Sequence, residues 1–269
     1  VFTYTLTDAD GSTSLASLTI AVSGSNASPT AAADTGAVNE DATLTTTALN
    51  GVIQGTPGAD SDPDNLTTSL VVSGAVAGTG GVAQGVGVGV ALTGTYGTLT
   101  LNANGSYTYV ADQAAADALA AGATANDVFT YTVVDPNGAI SNSTTLTITV
   151  TGTNDAPLLD LDANDSTTGG ANYIGTFIES GGGIPIGDLD ISVIDPDSNI
   201  TGATITLTNP KAGDVLAAGA LPPGITATVS GNVVLLSGSA PAADYQTAIR
   251  AIAFNNTSST PDTAPRSIT

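Results

Sequence analysis

Residues 1–29, VFTYTLTDADGSTSLASLTIAVSGSNASP, return as residues 128–157, VFTYTVVDPNGAISNSTTLTITVTGTNDAP. The copies start 127 residues apart (Val1 to Val128) and end 128 apart (Pro29 to Pro157), so one insertion separates them. A segment that recurs after one ordinary domain length marks a tandem array. Each copy closes on a linker-like Asn-Ala-Ser-Pro or Asn-Asp-Ala-Pro. That phase makes residues 1–27 the last two strands of one unit, 28–155 a complete unit, and 156–269 a unit without its last two strands. The chain is expected to run out of phase with its domain boundaries.

Period-two alternation of apolar and polar residues dominates, as in Phe2-Tyr4-Leu6, Leu18-Ile20-Val22, Phe129-Tyr131-Val133, Leu146-Ile148-Val150 and Ile205-Leu207. Such runs are half-buried strands, and many short ones at close spacing predict an all-β chain of sandwiches in series. Asn104-Gly105 between two alternating runs favours a type I′ hairpin. The Ala-rich stretch 111–121 and residues 242–252 read as short helices. The Gly-Val run 78–90 reads as a mobile loop or an edge, because glycine leaves strand register poorly specified.

Composition then removes whole classes of chemistry. There is no Cys, Met, Trp or His, and the only cations are Lys211, Arg250 and Arg266. Neither a histidine base nor a thiolate nucleophile is available. A carboxylate-pair glycosidase would want two positioned acids in a cleft and aromatic sugar platforms, and there is no Trp to supply them. A net charge of -21 argues against nucleic acid and anionic membranes. No apolar run is long enough to insert in a bilayer. Leu, Ile, Val and Phe make up about 23% of the chain, above the roughly 20% at which disorder is expected. The natural partner is a cation.

All 24 acids except Glu40 and Glu179 are aspartates, gathered at predicted turns: Asp8/Asp10, Asp60/Asp62/Asp64, Asp135, Asp160/Asp162, Asp188/Asp190 and Asp195/Asp197. Two carboxylates about 4 Å apart repel by roughly 4 kcal/mol at a protein surface. Any single Asp-x-Asp is equally well read as a turn former capping its own backbone, and an acidic surface of the halophile kind is an alternative for the set. Turn formation alone would accept Asn or Ser in place of so many charges. A hard divalent ion with six to eight oxygen ligands, Ca²⁺ above all, fits better. If alternate loops of a seven-strand sandwich fall at opposite ends, Asp60, Asp62, Asp64 and Asp135 of the complete unit share the end near the preceding linker. Glu40 and Asp127 then fall at the other end beside Asn154 and Asp155, facing Asp160, Asp162, Asp195 and Asp197 of the next unit.

Asn-Asp-Ala-Pro at a junction, Asn39-Glu40-Asp41 near the first strand and Asp-Pro-Asp in an early loop resemble the cadherin-type calcium-binding pattern. With Asp-Tyr-Gln-Thr-Ala-Ile-Arg (244–250) and Phe254-Asn255-Asn256-Thr257, the whole chain resembles the VCBS-like and cadherin-like repeats of giant bacterial RTX-type surface adhesins. The resemblance implies tandem immunoglobulin/cadherin-like sandwiches, stiffened by Ca²⁺ at their junctions, on a cell surface or outside the cell. The implied partners are adjacent copies or repeats, end to end, with a surface ligand left unspecified. Ala27 stands at the first junction where Asp155 stands at the second, which predicts a weaker first site. Two alternatives remain: a filament subunit whose residues 1–27 complete the last unit of a neighbouring copy, and a sugar- or ice-binding domain using Thr-rich faces. A Lys-Asn crosslink would rest on Lys211 alone.

Overall fold

The computed structural model of the chain describes residues 1–56, 58–81 and 84–269. The N-terminal segment is a hairpin of β1 (Phe2–Thr7) and β2 (Thr13–Leu18), paired antiparallel from Phe2↔Leu18 to Thr7↔Thr13. Among the described residues it joins no other strand, and every residue in it is exposed.

Next come β3 (Asp34–Asn39), β4 (Thr43–Thr45), β5 (Val71–Ala77), β6 (Ala91–Thr93), β7 (Thr98–Leu101), β8 (Tyr107–Val110), the one-turn helix α1 (Ala114–Asp117), β9 (Thr124–Val134) and β10 (Thr144–Thr151). They make two four-stranded sheets, β3-β10-β9-β5 and β4-β8-β7-β6, one strand more than a seven-strand sandwich. The alternation seen in the sequence is the reason: Phe129, Tyr131, Val133, Leu146, Ile148 and Val150 point inward and are wholly buried against Leu99, Leu101 and Tyr109 of the facing sheet. Tyr109 and Phe129 meet edge to face at 6.1 Å. β3 runs parallel to β10, from Leu146↔Asp34 to Thr151↔Asn39, so the unit's first strand is closed by its last.

The rest of the chain holds β11 (Leu158–Asp160), β12 (Ile184–Pro185), β13 (Ser192–Ile194), β14 (Ile200–Thr206), β15 (Asp214–Ala218), β16 (Thr226–Ser230), β17 (Val233–Ala240), the helix α2 (Ala242–Arg250) and β18 (Ile252–Asn256). Three sheets, β11-β13, β12-β18-β15 and β14-β17-β16, surround a second, separate core built on Leu207, Val234, Leu236, Tyr245, Ala248 and Ile252. α2 buries Tyr245, Ala248 and Ile249, one helical face, while Asp244 and Arg250 sit at the ends that favour their charge. Phe177 packs edge to face on Phe254 at 5.6 Å.

Two local expectations need correction, and a third is narrowed to one of its two readings. Residues 111–121 contain only the four-residue α1, because a short Ala-rich stretch with little to bury cannot offset helix nucleation. Asn104 does not take a positive φ; the loop runs from Asn102 to Ser106, with Gly105 alone at φ +83 and its N–H donating to the Asn102 carbonyl. That is a longer hairpin loop than the two-residue turn. The Gly-Val run lies partly outside the described residues, but its described end is pinned as an edge: Val86 and Gly85 bond to β5, and Val88 bridges Leu101. Gly87 is required there, since at φ +75 an added Cβ would stand 2.0 Å from the Ala75 carbonyl oxygen. No helix among the described residues is long and apolar enough to cross a membrane.

Candidate metal centres

At the first end of the middle unit, the Asp60–Asp64 loop and the Asp135–Asn137 loop grip the incoming chain. Asn26 donates to Asp135 at 2.7 Å, Asn137 donates to Asn26 at 2.7 Å, the Ala27 N–H reaches Asp64 at 2.6 Å, and the Ala32 N–H reaches Asp60 at 2.9 Å. Asp60 is 2% exposed, yet its Oδ2 has no hydrogen-bond partner, and Asp62 Oδ2 is shut from solvent in the same condition. Burial pushes Asp60 and its neighbour Asp34 up to about 7, with the Tyr131 hydroxyl donating to Asp34 at 2.6 Å. Asp135 is held below the usual carboxylate range: burial alone would raise it, but hydrogen bonds from Asn26 and from the N–H groups of Ala139, Asn137 and Gly138 outweigh that.

At the other end, the tight turn after β3 sets Glu40 against the exit linker. Asp41 adopts φ +58 in that turn. The backbone N–H and hydroxyl of Thr153 both donate to Glu40 Oε1, the hydroxyl at 2.9 Å. Glu40 is 3% exposed and its Oε2 has no partner. From the next unit, the β13–β14 loop brings Asp195, whose Oδ1 caps Ser198 at 2.9 Å, and Asp197, both of whose oxygens are shut from solvent with no partner. Asp155 of the linker is raised above the usual carboxylate range by burial and by repulsion from Glu40, Asp197, Asp41 and Asp117. Acids from two units and their linker are therefore near enough to repel one another. Asn154, Asp155, Asp195 and Ser198 line an open groove there.

A third cluster lies within the last unit. Oxygens of Asp162, Asp188 and Asp190 come within 4.8 Å of one another. Asp162 is fully buried and held well below the usual carboxylate range, first by the Thr167 hydroxyl and further by the Thr167 and Ser166 N–H groups. Ser166 also donates to Asp188 at 2.8 Å, and Asp190 Oδ1 is buried without a partner. Asp160 faces inward on its own turn, accepting from the Asp162 N–H at 3.0 Å.

Buried carboxylate oxygens without donors are costly, and the chain has three cations to compensate 24 acids. Among the described residues the single ion pair is Arg266–Asp214, away from all of these acids. A hard, oxygen-seeking divalent cation fits the orphaned oxygens of Glu40, Asp60, Asp62, Asp190 and Asp197.

The structure does not gather every candidate. Asp127 must be corrected: its Oδ1 accepts from Thr95 N–H, and its Oδ2 from Tyr96 N–H, Gly97 N–H and the Tyr109 hydroxyl, at 2.7 to 3.0 Å. Both of its oxygens accept from the protein and tie β9 to the β6–β7 turn. Asp8 caps its own turn through the N–H groups of Asp10 and Ser12, and Asp10 is an exposed member of that turn. Turn chemistry explains both. Conversely, Asp34, Asp41, Asp117, Asp188 and Asp190 join the clusters. Asp188 and Asp190 were visible as an acidic turn, but their approach to Asp162 across more than twenty residues had no local signal.

Residues 26–152 match the family model of the bacterial cadherin-like domain. That family is non-enzymatic, and its domains typically bind calcium and typically stand outside the cell. A search of curated proteins finds no match. Among solved structures the chain is similar to PcdhgB3 EC1-4 (10% identity over 89% of this chain and 56% of that one, TM-score 0.33). It is also similar to the Protocadherin GammaB4 extracellular domain (13% identity, 89% and 36%, TM-score 0.33). An endo-fucoidan hydrolase of glycoside hydrolase family 107 overlays at 13% identity, 90% and 30% coverage and a TM-score of 0.25. The chain spans little more than half of the longest-covered of these, and overlays this loose say nothing of ligand or assembly.

Proposed function

We propose that this chain is a structural repeat module of an extracellular bacterial adhesin or fibre, whose β-sandwich junctions are stiffened by Ca²⁺. One observation carries the reading: oxygens of Glu40 and Asp197, on the two sides of one linker, are closed off from solvent without partners, and both acids repel Asp155 of that linker. Bound there, Ca²⁺ would supply positive charge and oxygen coordination in place of the missing donors. Glu40, Asp155 and Asp197 would hold it, with Asp195 and Asn154 beside them. At the other end of the middle unit the holders would be Asp60, Asp62, Asp64 and Asp135.

The chain's own residues make such a site mechanical. Thr153 fixes Glu40 to the linker, while Asp197 is carried by the following unit, so a bend at residues 153–157 separates ligands from ligands. Loss of coordination then opposes the bend. Small-angle scattering tests this: adding a chelator is expected to broaden the distribution of end-to-end distances and lower the melting temperature, and calcium should restore both. Identical scattering and melting with and without chelator would sink the reading.

A further inference from the structure

The middle unit contains no Lys, Arg or His; Lys211, Arg250 and Arg266 all lie in the last unit. Its interior nevertheless closes over two carboxylates. Asp34 on β3 is 7% exposed and Asp60 is 2% exposed, and both reach the hydroxyl of Tyr131, which is wholly buried on β9. Asp34 repels Asp60 across that point. Gly58 lets the Asp60 loop pass this close to β3, since an added Cβ there would stand 3.2 Å from Asp34 Oδ1.

Acceptors outnumber protons in this place. The Tyr131 hydroxyl oxygen lies 2.6 Å from Asp34 Oδ2, 3.0 Å from the Ala32 carbonyl oxygen and 3.2 Å from that of Val52. It has one proton to donate, and the Asp60 carboxylate competes for it. The Ala32 N–H satisfies Asp60 Oδ1 at 2.9 Å. Asp60 Oδ2, on the carboxylate that faces Asp34 and Tyr131, is buried with no partner. Among the described residues neither carbonyl receives another hydrogen bond. Buried oxygens that have no donor within the protein are costly unless positive charge meets them, and no side chain of this unit can bring it.

We propose that Asp34, Asp60, the Ala32 and Val52 carbonyl oxygens and the Tyr131 hydroxyl hold a Ca²⁺ ion inside the middle unit. The donor set selects the ion. All five groups offer oxygen, two carboxylates match a divalent charge, and Ca²⁺ accepts an irregular oxygen shell where Mg²⁺ demands an octahedron. Bound there, the ion ties the chain entering the unit at Ala32, the first strand and the Asp60 loop to β9 at the core. The assignment rests on the calcium reading for the identity of the ion, and it adds a site within a unit to those at the junctions, sharing only Asp60 with the first of them.

Calcium titration by calorimetry and melting of the full 269-residue chain test the site through Asp34→Asn, which keeps the side chain's shape and removes one charge. The variant is expected to bind one calcium equivalent fewer than the unaltered chain. With chelator its middle unit should melt as high as the unaltered one or higher, because a like charge beside Asp60 is gone. With calcium it should melt lower, because ion binding no longer adds to its stability. If Asp34 served only as a hydrogen-bond acceptor, the substitution would lower both melting temperatures alike and leave the calcium count unchanged, and that result overturns the proposal. A crystal structure of the unaltered chain grown in calcium is an independent readout that holds even where the variant fails to fold. Ion density between Asp34 and Asp60 is expected, and an ordered pair without it overturns the site. Chelator-dependent scattering arises at residues 153–157 and should persist in Asp34→Asn, so the junction reading and this one can fail separately.

Discussion

At the scale of single residues, the acids divide into those whose oxygens are spoken for and those whose oxygens are not. Asp197 belongs to the second group and Asp127 to the first. Asp197→Asn should weaken calcium binding by about tenfold or more, as a ligand-charge loss does, with little change in the melting of the calcium-free chain. Asp127→Asn should leave calcium titrations unchanged and destabilise the middle unit by about 1–3 kcal/mol, the cost of orphaning buried donors. Calorimetric titration and denaturant unfolding of the two variants check both. The density of Asp at turns made the acidic loops legible in the sequence, and the alternation of loops between the ends of an assumed sandwich suggested that Glu40 and Asp155 face Asp197. What could not be read was the local accounting of lone pairs. Asp127 precedes an alternating strand much as any exposed acid would, and only the fold turns three loop N–H groups and a tyrosine hydroxyl onto it.

At the scale of elements, the strands and α2 were easy to read and the Ala-rich stretch 111–121 was not. Phe129-Tyr131-Val133 has one face to bury, and it buries it; residues 111–121 have Ala without a partner surface and yield one turn. α2 survives because Tyr245 both fills the core and donates to the Gly238 carbonyl at 2.7 Å. Tyr245→Ala is expected to cost the last unit about 3–5 kcal/mol, in the manner of a buried aromatic truncation. The segment before the C-terminal bridge is tied differently, by Arg266 to Asp214 at 2.6 Å. Burial alone would raise Asp214, but hydrogen bonds from Arg266, Asn256 and the Lys211 N–H outweigh it and hold its carboxyl below the usual range. A depressed carboxyl contributes stability that is present above the unfolded value, about 3.9, and is lost as pH falls through the lower folded one. Acidification below about pH 4 should therefore lower the melting of the last unit, and Arg266→Gln should shrink that drop.

For the whole molecule, two separate cores predict two unfolding transitions, assignable through Tyr131→Phe for the first and Tyr245→Ala for the second. Calcium should couple them at the second junction, which lies between them, and should brace the first linker less. The first linker meets the middle unit through neutral donors, Asn26 and the Ala27 N–H, where the second brings a carboxylate, Asp155. Asp155→Ala should accordingly make the scattering profile in calcium approach that of the chelated chain. The matched registers of β1–β2 and β9–β10, in which Phe2 pairs with Leu18 as Phe129 pairs with Leu146, also bear on how the protein folds. The edges of β5 and β3 cannot tell β1–β2 from β9–β10 by register, so β1–β2 of this or another copy competes for them until the middle sandwich has closed. Refolding from denaturant at high protein concentration should therefore yield domain-swapped material, and Tyr4→Asp should reduce it.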